Sequence, residues 1–237
     1  MFREDDPYVQ WKIDIMRRAM PAQSAVVFGD MYMIDGGYTR KCLDLGCNNV
    51  LLVDTVETAE WQRARIERPA LDFYKGDFAN SLFMQSITQQ FDIGIAYEIL
   101  LHQAPLLHTL HLILGKIRHK ILIVQPMLKE QAVPNSLVYL PGNTMRELYP
   151  VSTGEEEFKV FDVREVNQSH WLWGMTPSFL RSALLGEGFE ITWEEEYAHH
   201  PLTENWMTWG CIAERREAPP GHWSRVGPLT GIYNGDW

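Results

Sequence analysis

Hydrophobic positions recur along this chain in two alternating periods. Residues 7–20, PYVQWKIDIMRRAM, carry Val9, Ile13, Met16 and Met20 at helical spacing. SAVVFGD (24–30) is a short apolar run ending in Gly-Asp, the pattern of a buried strand. MYMIDGG (31–37) breaks it with Asp-Gly-Gly. YTRKCLDLG (38–46) returns to helical spacing, with Cys42 and Leu45 inward and Gly46 as the helix cap. NVLLVD (49–54) is a second buried strand. TAEWQRARIER, LDFYKGD, SLFMQSITQQ, FDIGIAYE, APLLHTLHLILGKI and KILIVQP then alternate helix and strand up to Pro126. That alternation predicts a mostly parallel sheet with helices on both faces.

The rhythm stops after Pro126. Residues 127–175 mix polar, acidic and aromatic segments and read as a cap or insertion after strand five. TPSFLRSALLGEGF restores a helix, with Thr176 as N-cap, Pro177 at its first position and Gly186 and Gly188 at its end. EITWEEEY and NWMTWGCIAERR follow as an antiparallel pair. The expected organisation is one domain over 1–217. An N-terminal helix or lid covers 1–20, and an aromatic, Pro/Gly-rich tail runs over 218–237, leaving a homodimer open.

Composition narrows the partners. The formal charge is −10, and an acidic chain repels phosphate backbones, which argues against nucleic acid. No apolar run approaches the roughly 18–20 residues of a membrane span. The opening MFREDDPYVQWK lacks an apolar signal core, so a cytoplasmic protein is expected. Cys42, Cys47 and Cys211 form no C-x-x-C pair, and no metal site is expected.

LDLGC (43–47) looks like a nucleotide-binding turn, but only two residues separate it from the next strand. No helix fits between them, and a phosphate- or cofactor-binding turn must feed a helix N-terminus. The turn is therefore expected one element earlier, at Phe28–Tyr38. There Gly29, Gly36 and Gly37 allow close backbone approach, with Asp30 directly after the first of them. Asp54 ends the next strand, where an acid grips a ribose diol. Gly76-Asp77-Phe78 follows strand three, and Tyr97-Glu98 ends strand four. All lie at carboxyl ends of consecutive strands, where open sheets bind ligands.

This series resembles the class I S-adenosylmethionine-dependent methyltransferases over roughly residues 20–215. AVVFGD…DGGY is similar to their glycine-rich first motif in stretched form, NVLLVD to the strand whose acid binds the cofactor ribose, and KGDF to the turn beside the adenine. FDIGIAYEILLH is the best single match, to the fourth-strand motif. The resemblance implies a Rossmann-like seven-stranded sheet with an antiparallel last strand. It implies S-adenosyl-L-methionine as cofactor, held by Gly29, Asp30, Gly36, Gly37, Asp54, Thr55, Gly76, Asp77, Phe78, Tyr97 and Glu98. It implies methyl transfer to oxygen or nitrogen of a small molecule, with biosynthetic tailoring as the analogous role. His102, after strand four, and His170, in the cap, are the candidate bases. Tyr8 and Trp11 are candidates to close over the cofactor. Trp171, Trp173, Met145 and Tyr149 are candidates to line an acceptor pocket. The competing readings are a non-catalytic binding protein on the same fold, an RNA-modifying methyltransferase and a nicotinamide-dependent oxidoreductase.

Overall fold

The computed structural model describes residues 2–32, 34–130, 136–141, 171–197 and 206–216. The chain runs α1 (Pro7–Ala19), β1 (Ser24–Phe28), α2 (Gly37–Asp44), β2 (Asn49–Asp54), α3 (Ala59–Glu67), β3 (Leu71–Lys75), α4 (Ser81–Ser86) and β4 (Phe91–Tyr97). A 3₁₀ turn (Leu100–His102), α5 (Leu106–Leu114) and β5 (Ile117–Leu128) follow. After them come β6 (Leu137–Pro141), β7 (Trp171–Met175), a helix here called α6 (Pro177–Gly186), β8 (Phe189–Glu196) and β9 (Trp206–Arg215). Seven strands form one sheet in the order β3-β2-β1-β4-β5-β9-β8. β9 runs antiparallel to both neighbours, and the pairings from β3 through β5 are parallel. From β1 the chain steps outward through β2 to β3, then returns to add β4 and β5 on the other side. The order therefore reverses between β1 and β4, which makes their carboxyl ends the topological switch point.

Both faces of the sheet are covered, as the continuous apolar strands require. Val27, Leu52, Ile95 and Leu122 pack under α1, α2 and α3, with Ile13, Met16, Tyr38, Cys42 and Trp61. Val26, Leu51, Ala96 and Ile123 pack under α4, α5 and α6, with Met84, Leu110, Leu180 and Leu184. β5 is longer than the KILIVQP run because β9 pairs with it through Leu128. β6 and β7 form a separate antiparallel ribbon. Its base is clamped where the Thr176 N–H donates to the Ser136 carbonyl at 3.1 Å and the Ser136 N–H to Thr176 Oγ1 at 3.0 Å.

The helix ends follow the local chemistry. Asp6 caps α1 by accepting from the N–H groups of Tyr8 and Val9, with Pro7 in the first turn. α2 ends at Leu45, and Gly46 then takes φ +103°. The Cys47 N–H reaches the Cys42 carbonyl at 3.1 Å and the Gly46 N–H the Leu43 carbonyl at 2.9 Å, the paired bonds of a Schellman ending. LDLGC is thus the end of a helix, and its amides are spent on that helix's carbonyls.

The start of α2 is held from the turn before it. Gly36 is its N-cap at φ +72°, and a Cβ there would collide with the ring of buried Trp61. Asp30 supplies what that glycine cannot: its Oδ2 accepts from both the N–H and the hydroxyl of Thr39 at 2.7 Å. Asp30 is buried, and its Oδ1 has no partner among the described residues. Burial raises its pKa from 3.8 to about 7; the two Thr39 bonds and Arg40 pull the other way, and Asp54 adds to the rise.

Two outcomes are expected. Gly36→Ala combines left-handed strain with the Trp61 clash and loses about 3 kcal/mol in urea unfolding. For Asp30 the folded pKa exceeds the unfolded one. Its contribution to stability is therefore fully present below pH 3.8 and is lost as pH rises through about 7. The difference in unfolding free energy between the wild type and Asp30→Asn should shift against the wild type across that window. A flat difference contradicts the assignment.

Candidate functional site

The carboxyl ends of β1 to β4 converge on a depression of about 200 Å³. Gly29 enters it from β1, Asp54 and Thr55 from β2, Asp77 and Phe78 from the turn after β3, and His102 from the 3₁₀ turn after β4. These six of the residues expected from sequence stand together. Tyr32, Ile99 and Gln103 complete the wall. A larger open groove of about 720 Å³ lies at the amino ends of β2 and β3, beside Asn49, Arg65 and Leu71. Parallel sheets bind ligands outside the opposite, carboxyl ends, so the smaller depression is the candidate site.

Asp54 organises this end of the sheet. Its Oδ2 accepts the Met31 N–H at 3.0 Å and its Oδ1 the Val56 N–H at 3.2 Å, so the carboxylate braces the turn leaving β1. An ionised carboxylate has about four acceptor positions, which leaves capacity for a diol. The backbone continues the bracing: the Gly29 N–H donates to the Val53 carbonyl at 3.0 Å, and the Gly76 N–H to the Asp54 carbonyl at 2.9 Å. Asp77 folds its own turn by accepting the Ala79 N–H at 2.8 Å. Phe78 is buried edge-on to Phe28, ring centroids 5.7 Å apart, which fixes the wall under β1.

The remaining expected residues stand elsewhere. Asp30 caps α2 from within the core. Gly36 lies under Trp61, Gly37 under Phe2 and Gly76 under Phe83, so each close approach is made by one of the chain's own aromatic rings. Tyr97 is buried, and its hydroxyl donates to the Lys12 carbonyl at 3.0 Å. Glu98 faces α1, where its two oxygens accept from the Tyr8 hydroxyl at 2.6 Å and from Lys12 Nζ at 2.7 Å. Burial alone would raise the Glu98 pKa. Lys12, Tyr8 and a weaker electrostatic contribution from His102 outweigh it and hold the carboxyl below its ordinary range. His170, Met145 and Tyr149 lie outside the described residues, as does the side chain of Trp171. Trp173 is described, and its indole N–H donates to the Gln103 carbonyl at 2.7 Å, tying β7 to the turn that carries His102.

Lys12 was not among the residues the sequence singled out. It is a lysine on the inward stripe of α1, with Ile15, Met16 and Ala19. That position is the signal that identifies it, because a lysine is almost never buried without a partner. Among the described residues no cluster of His, Cys, Asp and Glu could hold a metal ion, and no helix is long and apolar enough to cross a membrane.

No protein-family model matches the chain, and no curated protein matches its sequence. Solved structures do match its fold. An O-methyltransferase family protein from Burkholderia thailandensis covers 90% of this chain with a TM-score of 0.60 at 12% identity; the chain spans 57% of that protein. The N-terminal domain of EvdMO1, solved with SAH bound, gives 0.61 at 13% identity over 90% of this chain and 82% of that one. The 1,6-didemethyltoxoflavin-N1-methyltransferase of B. thailandensis was solved with 1,6-didemethyltoxoflavin and S-adenosylhomocysteine. It gives 0.57 at 15% identity, over 90% and 80%. Strand order, antiparallel β9 and these superpositions agree: the chain has the class I S-adenosylmethionine-dependent methyltransferase fold.

Proposed function

We infer that the protein binds S-adenosylmethionine and transfers its methyl group to an oxygen or nitrogen of a small molecule. The observation that carries this is the gathering of Gly29, Asp54, Thr55, Asp77, Phe78 and His102 around one depression at the switch point. The residues fit a nucleoside. Asp54 offers free acceptor positions to a ribose diol, Phe78 an apolar wall for a base, and Asp77 and Thr55 polar groups at the rim. The donor, when bound, supplies a methyl group already activated by a positive sulfur. The protein's part is to align the acceptor, exclude water and accept a proton where the acceptor carries one. His102 stands at the wall of the depression, and the Glu98 carboxylate acts on it electrostatically. We assign His102 the proton-accepting role.

The 127–175 excursion is the proposed acceptor cover. Its described base is clamped at Ser136–Thr176, and Trp173 ties it beside His102. A small acceptor in a cytoplasmic setting agrees with the charge of −10, which disfavours an RNA strand. The non-catalytic reading has one observation in its favour: Ile99 Cγ2 would lie 2.5 Å from a Cβ on Gly29, so the chain itself covers the turn.

S-adenosylhomocysteine is expected to raise the melting temperature. At about 100 times Kd the gain is about 2.7 kcal/mol, or several degrees for a chain of this size. No shift at millimolar ligand contradicts the donor assignment, and a shift with NAD alone favours an oxidoreductase. Asp54→Ala should weaken nucleoside binding at least about tenfold, because the diol loses a charged acceptor. Unchanged affinity would place the ribose elsewhere. With a competent acceptor, His102→Asn should lower kcat about 100-fold or more and leave donor affinity unchanged. An unchanged kcat removes His102 as base.

A further inference from the structure

The ammonium of Lys12 occupies a cation site that the rest of the chain builds. Its side chain is 5% exposed, and Nζ lies 2.7 Å from Glu98 Oε2. Three tyrosine rings surround it, with centroids at 4.1 Å for Tyr8, 5.6 Å for Tyr38 and 5.8 Å for Tyr97. All three fall within the roughly 6 Å at which a ring face attracts a cation. The Tyr8 hydroxyl holds the other Glu98 oxygen at 2.6 Å, so the carboxylate is fixed toward the ammonium.

The position of this site is what distinguishes it from an ordinary ion pair. Glu98 is the first residue beyond β4, and Tyr38 lies in the first turn of α2, just after the turn from β1, so the cage straddles the switch point. Glu98 holds φ +57°, a left-handed conformation costly for a side chain with a Cβ. That twist sends its carboxylate toward α1, while the next residue, Ile99, covers Gly29 and lines the depression. Cage and depression therefore adjoin across one residue. Glu98 keeps 40% of its side chain exposed, so the carboxylate is approachable from solvent although Lys12 is not.

A donor made of a nucleoside and an amino acid needs two adjoining compartments. The depression, about 200 Å³, suits the first. The second must offer an anion and ring faces to an α-ammonium, which is what Glu98, Tyr8, Tyr38 and Tyr97 present. We propose that Lys12 is a built-in competitor for this amino-acid subsite, and that the donor's ammonium takes its place on Glu98. The assignment rests on the nucleoside reading above. α1 stays docked in this exchange, since Ile15 and Trp11 pack on Gly210 and the Trp11 indole bonds Glu195 at 3.0 Å. The flexible Lys12 stem supplies the movement.

Calorimetric titration with two probes tests this. 5′-Methylthioadenosine has the nucleoside and sulfur without the amino-acid end; S-adenosylhomocysteine has both. Lys12→Met, which keeps the volume of the stem, should bind S-adenosylhomocysteine at least about tenfold more tightly than the wild type. Its affinity for 5′-methylthioadenosine should be unchanged. Adding Glu98→Gln should abolish the gain. If Lys12→Met does not fold, as judged by circular dichroism, Lys12→Gln carries the same comparison. Selective weakening of S-adenosylhomocysteine would overturn the proposal, because Lys12 would then be a ligand for the donor's carboxylate. Equal affinity in wild type and variant would also overturn it and make the pair a staple for α1. In both cases binding of 5′-methylthioadenosine upholds the nucleoside site. Binding of neither probe to any form overturns that site and this assignment together.

Discussion

The pairing of β1 with β4 is the constraint on which the rest depends. Phe28 lies beside Ala96 in that ladder, so the chain leaving β1 at Gly29 and the chain leaving β4 at Glu98 part from one place. β2 and β3 lie to one side and β5 to the other, all parallel, so every crossover between β1 and β5 departs from the same, carboxyl end. Carboxylates and turns at the strand ends then cluster without any of them being close in sequence. Asp54 is drawn under the turn from β1 because β2 is the neighbour of β1, and its bond to the Met31 N–H records that adjacency.

Two carboxyl groups, one buried and one half-buried, show how the sheet end is held. Asp30 exchanges a helix cap for a carboxylate in the core, with one oxygen satisfied by Thr39 and the other orphaned, and its raised pKa is the consequence. Glu98 sits among a lysine, a tyrosine hydroxyl and, at longer range, His102, and its pKa moves the opposite way although packing under α1 costs it some of its hydration. The difference is the partner: Asp30 has uncharged donors as its direct partners, Glu98 a buried ammonium. The same ammonium ties α1 to the sheet end, so the helix is held there by charge as well as by the packing of Ile13, Ile15 and Met16.

The elements were legible where one physical rule governed them. Thr176-Pro177 opens α6 and Gly46 closes α2, because capping chemistry is local. That same locality exposed LDLGC as a helix end. The gathering of Gly29, Asp54, Thr55, Asp77, Phe78 and His102 at one end was legible because strand ends in a parallel sheet share one side. Gly36, Gly37 and Gly76 were harder: sequence shows that a backbone approach is permitted but not what approaches, and here Trp61, Phe2 and Phe83 do. Lys12 and Ile99 depend on strand order and helix docking, which are tertiary facts. The β6–β7 ribbon joins segments 30 residues apart with no periodic signature between them.

The measurement closest to the central claim is a crystal structure of the protein grown with S-adenosylhomocysteine. The account predicts density at the carboxyl ends of β1 to β3, with the ribose hydroxyls on Asp54 and the base beside Phe78. Density in the groove beside Arg65 and Leu71, or a ligand whose sugar lies away from Asp54, would contradict it.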